Sequence, residues 1–137
     1  MQDQYKVEPG LYYTKDHLWV KIDENIAVIG ISDYGQAQLG DVVFVELPEP
    51  EKEVEAGEKV ASVESIKAVV DVFSPLTGKI LSVNEELKEE PSLINTDPYG
   101  DGWIYEMQMA DPTEVEDLMT SQDYEAYLEE LLAEEEE

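Results

Sequence analysis

At 137 residues the chain has the length of one domain with a single modest core, and two domains would be a stretch. It sets 34 acidic residues against eight lysines and no arginine, a formal net charge of -26, so nucleic acid and anionic membrane surfaces are poor partners, and basic protein surfaces are favoured. The same acidity also fits a solubility role in a salty or hot habitat. With no cysteine there is no disulfide, thiolate nucleophile or thiolate metal site. No apolar run approaches the length of a membrane span and the N-terminus lacks a secretory pattern, so the expectation is a soluble cytoplasmic protein.

Residues 1–10 are polar and read as a flexible, loosely attached lead-in. Tyr12 to Ile22 alternates well enough for one strand, and Asp23-Glu24-Asn25 turns it into a second strand over Ile26–Ile31. Ser32 or Asp33 is placed to cap a short helical turn through Gln38, which Gly40 ends. Val42 to Leu47 reads as a strand stopped by Pro48 and Pro50, and the acidic stretch from Glu49 to Glu58 as a solvated loop.

Two β-branched, period-two segments follow, Lys59–Val63 and Val69–Phe73, which predict a hairpin over 59–73 with Lys67 at or next to its tip. Ser74-Pro75-Leu76-Thr77-Gly78 then turns into a strand over Lys79–Val83. The turn-and-strand pairs on either side of Lys67 suggest the quasi-symmetric halves of a flattened barrel. Asn84 is placed to cap a brief helix through Leu87, and 91–98 reads as irregular, anchored by Leu93 and Ile94. Tyr99 to Gly102 is a turn before a strand-like run over Trp103–Met109. Asp111-Pro112 opens a first helical piece. Ser121 opens a second, in which Tyr124, Tyr127, Leu128, Leu131 and Leu132 share one face expected to pack on the barrel. The helices are thus expected over about 112–132, with an acidic tail at 133–137 whose glutamates oppose the helix dipole and should fray.

A lysine at a hairpin tip is far from the core while ladder hydrogen bonds hold its backbone on both sides, which suits a covalent handle. No nucleophile with a base, metal cluster or phosphate-cradling loop points to an enzyme. His17, the sole histidine, reads as a hydrogen-bonded structural residue, and Asp97 to Asp101 as a turn, not a calcium loop. Both tryptophans, the tyrosines and the alternating valines read as core.

The run Val63-Glu64-Ser65-Ile66-Lys67-Ala68 resembles the lipoyl-lysine motif of the glycine cleavage system H-protein family. Biotinyl domains usually place methionines where this chain has Ile66 and Ala68. Further runs resemble the family in order and at its spacing over roughly 12–130: Tyr13-Thr14-Lys15-Asp16-His17 with Trp19, Gly30-Ile31-Ser32-Asp33-Tyr34, Gly40-Asp41-Val42, Leu93-Ile94-Asn95 and Asp97-Pro98-Tyr99-Gly100.

The resemblance implies a mainly β fold, a flattened, lipoyl-domain-like barrel-sandwich of antiparallel strands with short helices and a C-terminal helical appendage. On it, 11–132 is one lipoyl-carrier domain. It implies a carrier and not an enzyme, with lipoate amide-linked to Lys67, Glu64, Ser65 and Ala68 as the motif around the attachment, and Asp16 and Asp71 as candidates for the groove that shelters the arm. The implied partners are glycine decarboxylase, aminomethyltransferase, dihydrolipoamide dehydrogenase and a lipoate ligase or lipoyl/octanoyl transferase. Glu64 would keep the free amine charged and serve recognition. The chain departs from the family after His17, where Leu18 stands in place of the usual glutamate. That departure is similar to H-protein-like lipoate-binding proteins carrying sulfur species for heterodisulfide-reductase-like complexes, the alternative to glycine cleavage.

Overall fold

The computed structural model describes residues 4–135. Its strands are β1 Tyr12–Tyr13, β2 Leu18–Asp23, β3 Ile26–Ile31, β4 Val42–Glu46, β5 Glu53–Val54, β6 Lys59–Ser65, β7 Val69–Phe73, β8 Gly78–Val83, β9 Tyr105–Met109 and β10 Met119–Thr120. Helices are α1 Asp33–Leu39, α2 Glu86–Glu89, α3 Leu93–Thr96 and α4 Ser121–Glu135, with a 3₁₀ turn over Pro112–Asp117. All pairings are antiparallel. One sheet runs β10-β1-β2-β3-β9-β8-β5 and the other β4-β6-β7. The barrel is therefore open, two facing sheets instead of one closed cylinder.

Period-two side chains build the core between them. Val20, Ala27, Ile29, Ile80 and Met107 from the larger sheet join Val45, Ala61, Val63 and Val72 from the smaller. On β2 the neighbours Leu18, Trp19 and Val20 are all buried, because Trp19 points the other way, into a second cluster with Tyr13, Tyr34, Tyr124 and Leu128. There α4 covers the sheet with the expected face: Tyr124 and Leu128 are fully buried and Tyr127, Leu131 and Leu132 pack beside them. Gly30 sits opposite Trp19, and a Cβ there would fall 2.6 Å from the indole, so glycine lets the ring lie across the strand.

Several expectations need correction. The single strand over 12–22 is two, because Thr14 to His17 forms a tight turn: His17 N–H donates to Thr14 O (3.0 Å), Thr14 Oγ1 accepts from the N–H of Asp16 and Leu18 (3.2 Å each), and His17 adopts φ 68. The lead-in is tied down from Tyr5 to Glu8. Lys6 N–H donates to Asp33 Oδ2 (2.8 Å), Tyr99 Oη donates to Lys6 O (2.7 Å), and Tyr5 stacks edge-on against Tyr34. Its first three residues lie outside the described residues. The acidic loop carries β5, 91–98 contains α3, and the first C-terminal helical piece is 3₁₀ with Asp111 capping Thr113 N–H at 3.0 Å. Against the fraying expected over the acidic tail at 133–137, helix α4 continues through Ala133 and Glu134 to Glu135, and the remainder of that tail lies outside the described residues.

Candidate functional site

Hairpin β6–β7 places Lys67 in the three-residue tip between Ser65 and Val69. Ser65 is 5% exposed and organises that tip. Its Oγ accepts from the backbone N–H of Ala68 (3.1 Å) and of Lys67 (3.3 Å), while its own N–H donates to Ala68 O (2.8 Å). Ile66 N–H donates to Asp41 O (3.1 Å), which ties the tip to the start of β4. The lysine stem crosses Gly40, where a Cβ would stand 3.2 Å from Lys67 Cε. Asn95 on α3 fixes this segment from below: its Nδ2 donates to Gly40 O (2.9 Å) and its Oδ1 accepts from Val42 N–H (2.9 Å). Among the described residues no carboxylate lies within ion-pair distance of Lys67. Glu64 in particular makes no such pair; it is exposed on β6, opposite Phe44 and Val69.

Beside the tip a groove of about 560 Å³ runs between the turn at 15–18, the C-terminal half of α1 and β7. Asp16, Asp71 and Ala68 line it together, whereas Glu64, Ser65 and Lys67 do not. Asp71 is already engaged by Lys59 at 3.3 Å. Leu18 lies at the groove wall, 3% exposed, and brings no polar atom. His17 borders the groove as a hydrogen-bonded residue, its Nδ1 2.9 Å from Tyr124 Oη and its ring packed on Tyr34. Burial holds its pKa below the ordinary histidine value, only partly countered by Asp16. Asp97 is a turn residue: its carboxylate accepts from Asp101 N–H (2.9 Å) and its carbonyl from Gly100 and Gly102 N–H.

Sequence reasoning missed two features. Asn95 was one letter of a motif, with nothing local to reveal that it bonds across to Gly40. The alternating valines read as core, yet Val69 is 63% exposed and Val43 and Val70 are also open to solvent, and beside them Ile66 (72% exposed), Phe44 and Phe73 complete an exposed apolar surface around the tip. Alternation marks a strand without saying which face is wet.

Fold and site together define a class of protein: a lipoyl-domain-like barrel-sandwich that offers one lysine on a braced hairpin tip. A family model described as Glycine cleavage H-protein matches residues 11–131, and the chain belongs to that family. It is 54% identical over 135 residues to glycine cleavage system H protein 4 of Aquifex aeolicus, covering 98% of this chain and 79% of that protein. The Thermotoga maritima glycine cleavage system H protein is 53% identical over 115 residues, covering 84% and 93% respectively. A crystal structure of the H protein from Mycobacterium marinum superposes with a TM-score of 0.82 at 37% identity, covering 88% of this chain and 98% of that one. These relatives do not favour the sulfur-carrier alternative. No helix among the described residues is long and apolar enough to cross a membrane.

Proposed function

We propose that Lys67 carries lipoate in amide linkage and that the protein, with 11–132 as its carrier domain, is the mobile substrate of the glycine cleavage system in the cytoplasm. It takes the aminomethyl group from the pyridoxal-phosphate-dependent glycine decarboxylase, delivers it to the folate-dependent aminomethyltransferase, and is reoxidised by dihydrolipoamide dehydrogenase. The observation that carries this reading is the tip itself, where an exposed lysine, in no ion pair among the described residues, sits on a backbone fixed by Ser65 and Asp41. Tethering at one rigid point gives successive enzymes a high effective concentration of cargo.

The residues present fit the group. The stem has a glycine to lie against, the groove beside it is largely apolar, and the exposed Ile66 and Val69 flank the attachment point. When bound, lipoate supplies a disulfide that accepts the aminomethyl group on sulfur. The chain's own part is to hold the amine out for a lipoate ligase or lipoyl/octanoyl transferase, and to shelter a cationic cargo between Asp16 and Asp71, which accept hydrogen bonds. Leu18 cannot share that task, so the two aspartates carry it.

Intact and peptide mass spectrometry tests the reading after incubation with a lipoate ligase, ATP and lipoate, followed by glycine and a glycine decarboxylase. Wild type should gain a lipoyl group at Lys67 and then an aminomethyl adduct, and Lys67→Ala neither. Lipoylation without the adduct would favour the sulfur-carrier role, and a wild type that takes no lipoyl group would end the carrier reading.

A further inference from the structure

Behind the groove, four groups form one line of hydrogen bonds. Ser32 Oγ accepts from Gly35 N–H (3.1 Å), lies 2.7 Å from Tyr124 Oη, and Tyr124 Oη lies 2.9 Å from His17 Nδ1. Ser32 is fully buried, so its hydroxyl proton needs an acceptor inside the protein, and the hydrogen bonds of this residue offer one: Tyr124 Oη. If Ser32 donates to Tyr124, the tyrosine proton is left for His17 Nδ1, which must then present a lone pair. The opposite polarity, with Nδ1–H donating to Tyr124 and Tyr124 to Ser32, strands the buried serine proton.

We infer that Ser32 and Tyr124 form a one-way hydroxyl relay that fixes His17 as the neutral imidazole protonated on Nε2, making it a donor-only contact for the groove. Tyr34 and Tyr127 lie beside the ring, with centroids 4.6 and 6.0 Å away, and Tyr124 takes Nδ1, so Nε2 is the ring nitrogen left for a contact in the groove that His17 borders. The groove then has a division of labour. Asp16 and Asp71 accept hydrogen bonds from a cation, while His17 gives one to an acceptor on the arm and has no lone pair with which to take a proton from an ammonium cargo. Burial, which holds the histidine pKa below its ordinary value against the pull of Asp16, favours the neutral ring that the relay requires. The cargo half of this inference rests on the proposed function; the relay does not.

The single histidine makes the test clean. A long-range proton–nitrogen correlation on isotope-labelled protein without lipoate should show one bare ring nitrogen, Nδ1, and one protonated, Nε2, with an excess of at least about tenfold over the other tautomer. Tyr124→Phe keeps the ring stacked on Tyr13 (centroids 4.3 Å apart) and removes only the hydroxyl, so the excess should fall several-fold; Ser32→Ala should do the same, although it also removes the α1 cap. A wild type protonated mainly on Nδ1, or a Tyr124→Phe protein with an unchanged ratio, would overturn the relay. In protein lipoylated and loaded with the aminomethyl group, Tyr124→Phe should release ammonia several-fold faster than wild type, and an equal rate would overturn the cargo half. A failure to lipoylate would count against the proposed function while the spectrum of the unmodified protein still decides the relay.

Discussion

Gly40 is the residue that Lys67 lies against, and two separate constraints fix it as glycine. Its φ of 86 and ψ of -166 fall in a region essentially closed to residues with a Cβ, and that Cβ would also press on the lysine stem. The stem is flexible and can move, so the backbone term dominates at about 1–3 kcal/mol. Gly40→Ala should therefore lower the thermal unfolding midpoint and, by pushing the stem aside, slow enzymatic lipoylation; an unchanged midpoint in circular dichroism would refute the strain. Ser65 has a different balance. Removing its hydroxyl leaves the N–H groups of Lys67 and Ala68 without their acceptor, but water reaches the tip, so the net loss is only about 1 kcal/mol. For Ser65→Ala we expect faster amide exchange at Ala68 and a reduced lipoylation rate with little change in global stability, which hydrogen exchange and a ligase assay would separate.

At the scale of elements, α4 is more than an appendage, because it buries Leu128 completely and supplies Tyr124 to the cluster under the groove. Leu128→Ala should cost about 2–5 kcal/mol in urea unfolding, the range for a buried leucine whose cavity does not collapse. An unfolding free energy within experimental error of wild type would mean that α4 is not packed as described. This helix was legible in the sequence, since five apolar residues at helical spacing leave little choice of face. So was the lysine hairpin, whose strands alternate and whose tip is interrupted. The turn at Thr14 to His17 was not. Alternation runs straight through it, and the break depends on the Thr14 hydroxyl taking two backbone N–H groups and on a positive φ at a histidine, which composition does not advertise. Strand β10 is two residues long and exists through its pairing with β1, more than a hundred positions earlier in the chain, so local propensity had nothing to say about it. The groove followed the same rule: Asp16 and Asp71 were named from resemblance, but their meeting across it required that unseen turn.

For the molecule as a whole, the large negative charge and the tyrosine-rich second cluster act in the same direction at high pH. Burial is the leading cause that pushes the phenol of Tyr13 from 10.0 up to about 12, and Tyr99, Tyr105 and Tyr124 are also raised, again chiefly by burial. A group whose folded pKa lies above its unfolded value stabilises the fold fully below the unfolded value and loses that contribution as pH climbs to the folded one. The unfolded chain binds fewer protons in that window, so stability falls with pH. For Tyr13 the window runs from 10.0 to about 12, and the other three phenols add to the same slope. Each tyrosinate formed also adds to a chain whose formal net charge is already -26, so self-repulsion works with the linkage instead of against it. The protein should therefore unfold in alkali, with tyrosinate absorbance rising cooperatively and together with the loss of far-ultraviolet ellipticity. Urea midpoints should decline steadily over the same range. If all the tyrosinate absorbance instead developed with an ordinary phenol midpoint while the ellipticity stayed intact, the buried tyrosines would be titrating in place, and the second cluster would be open to water in a way that its packing against α4 does not allow.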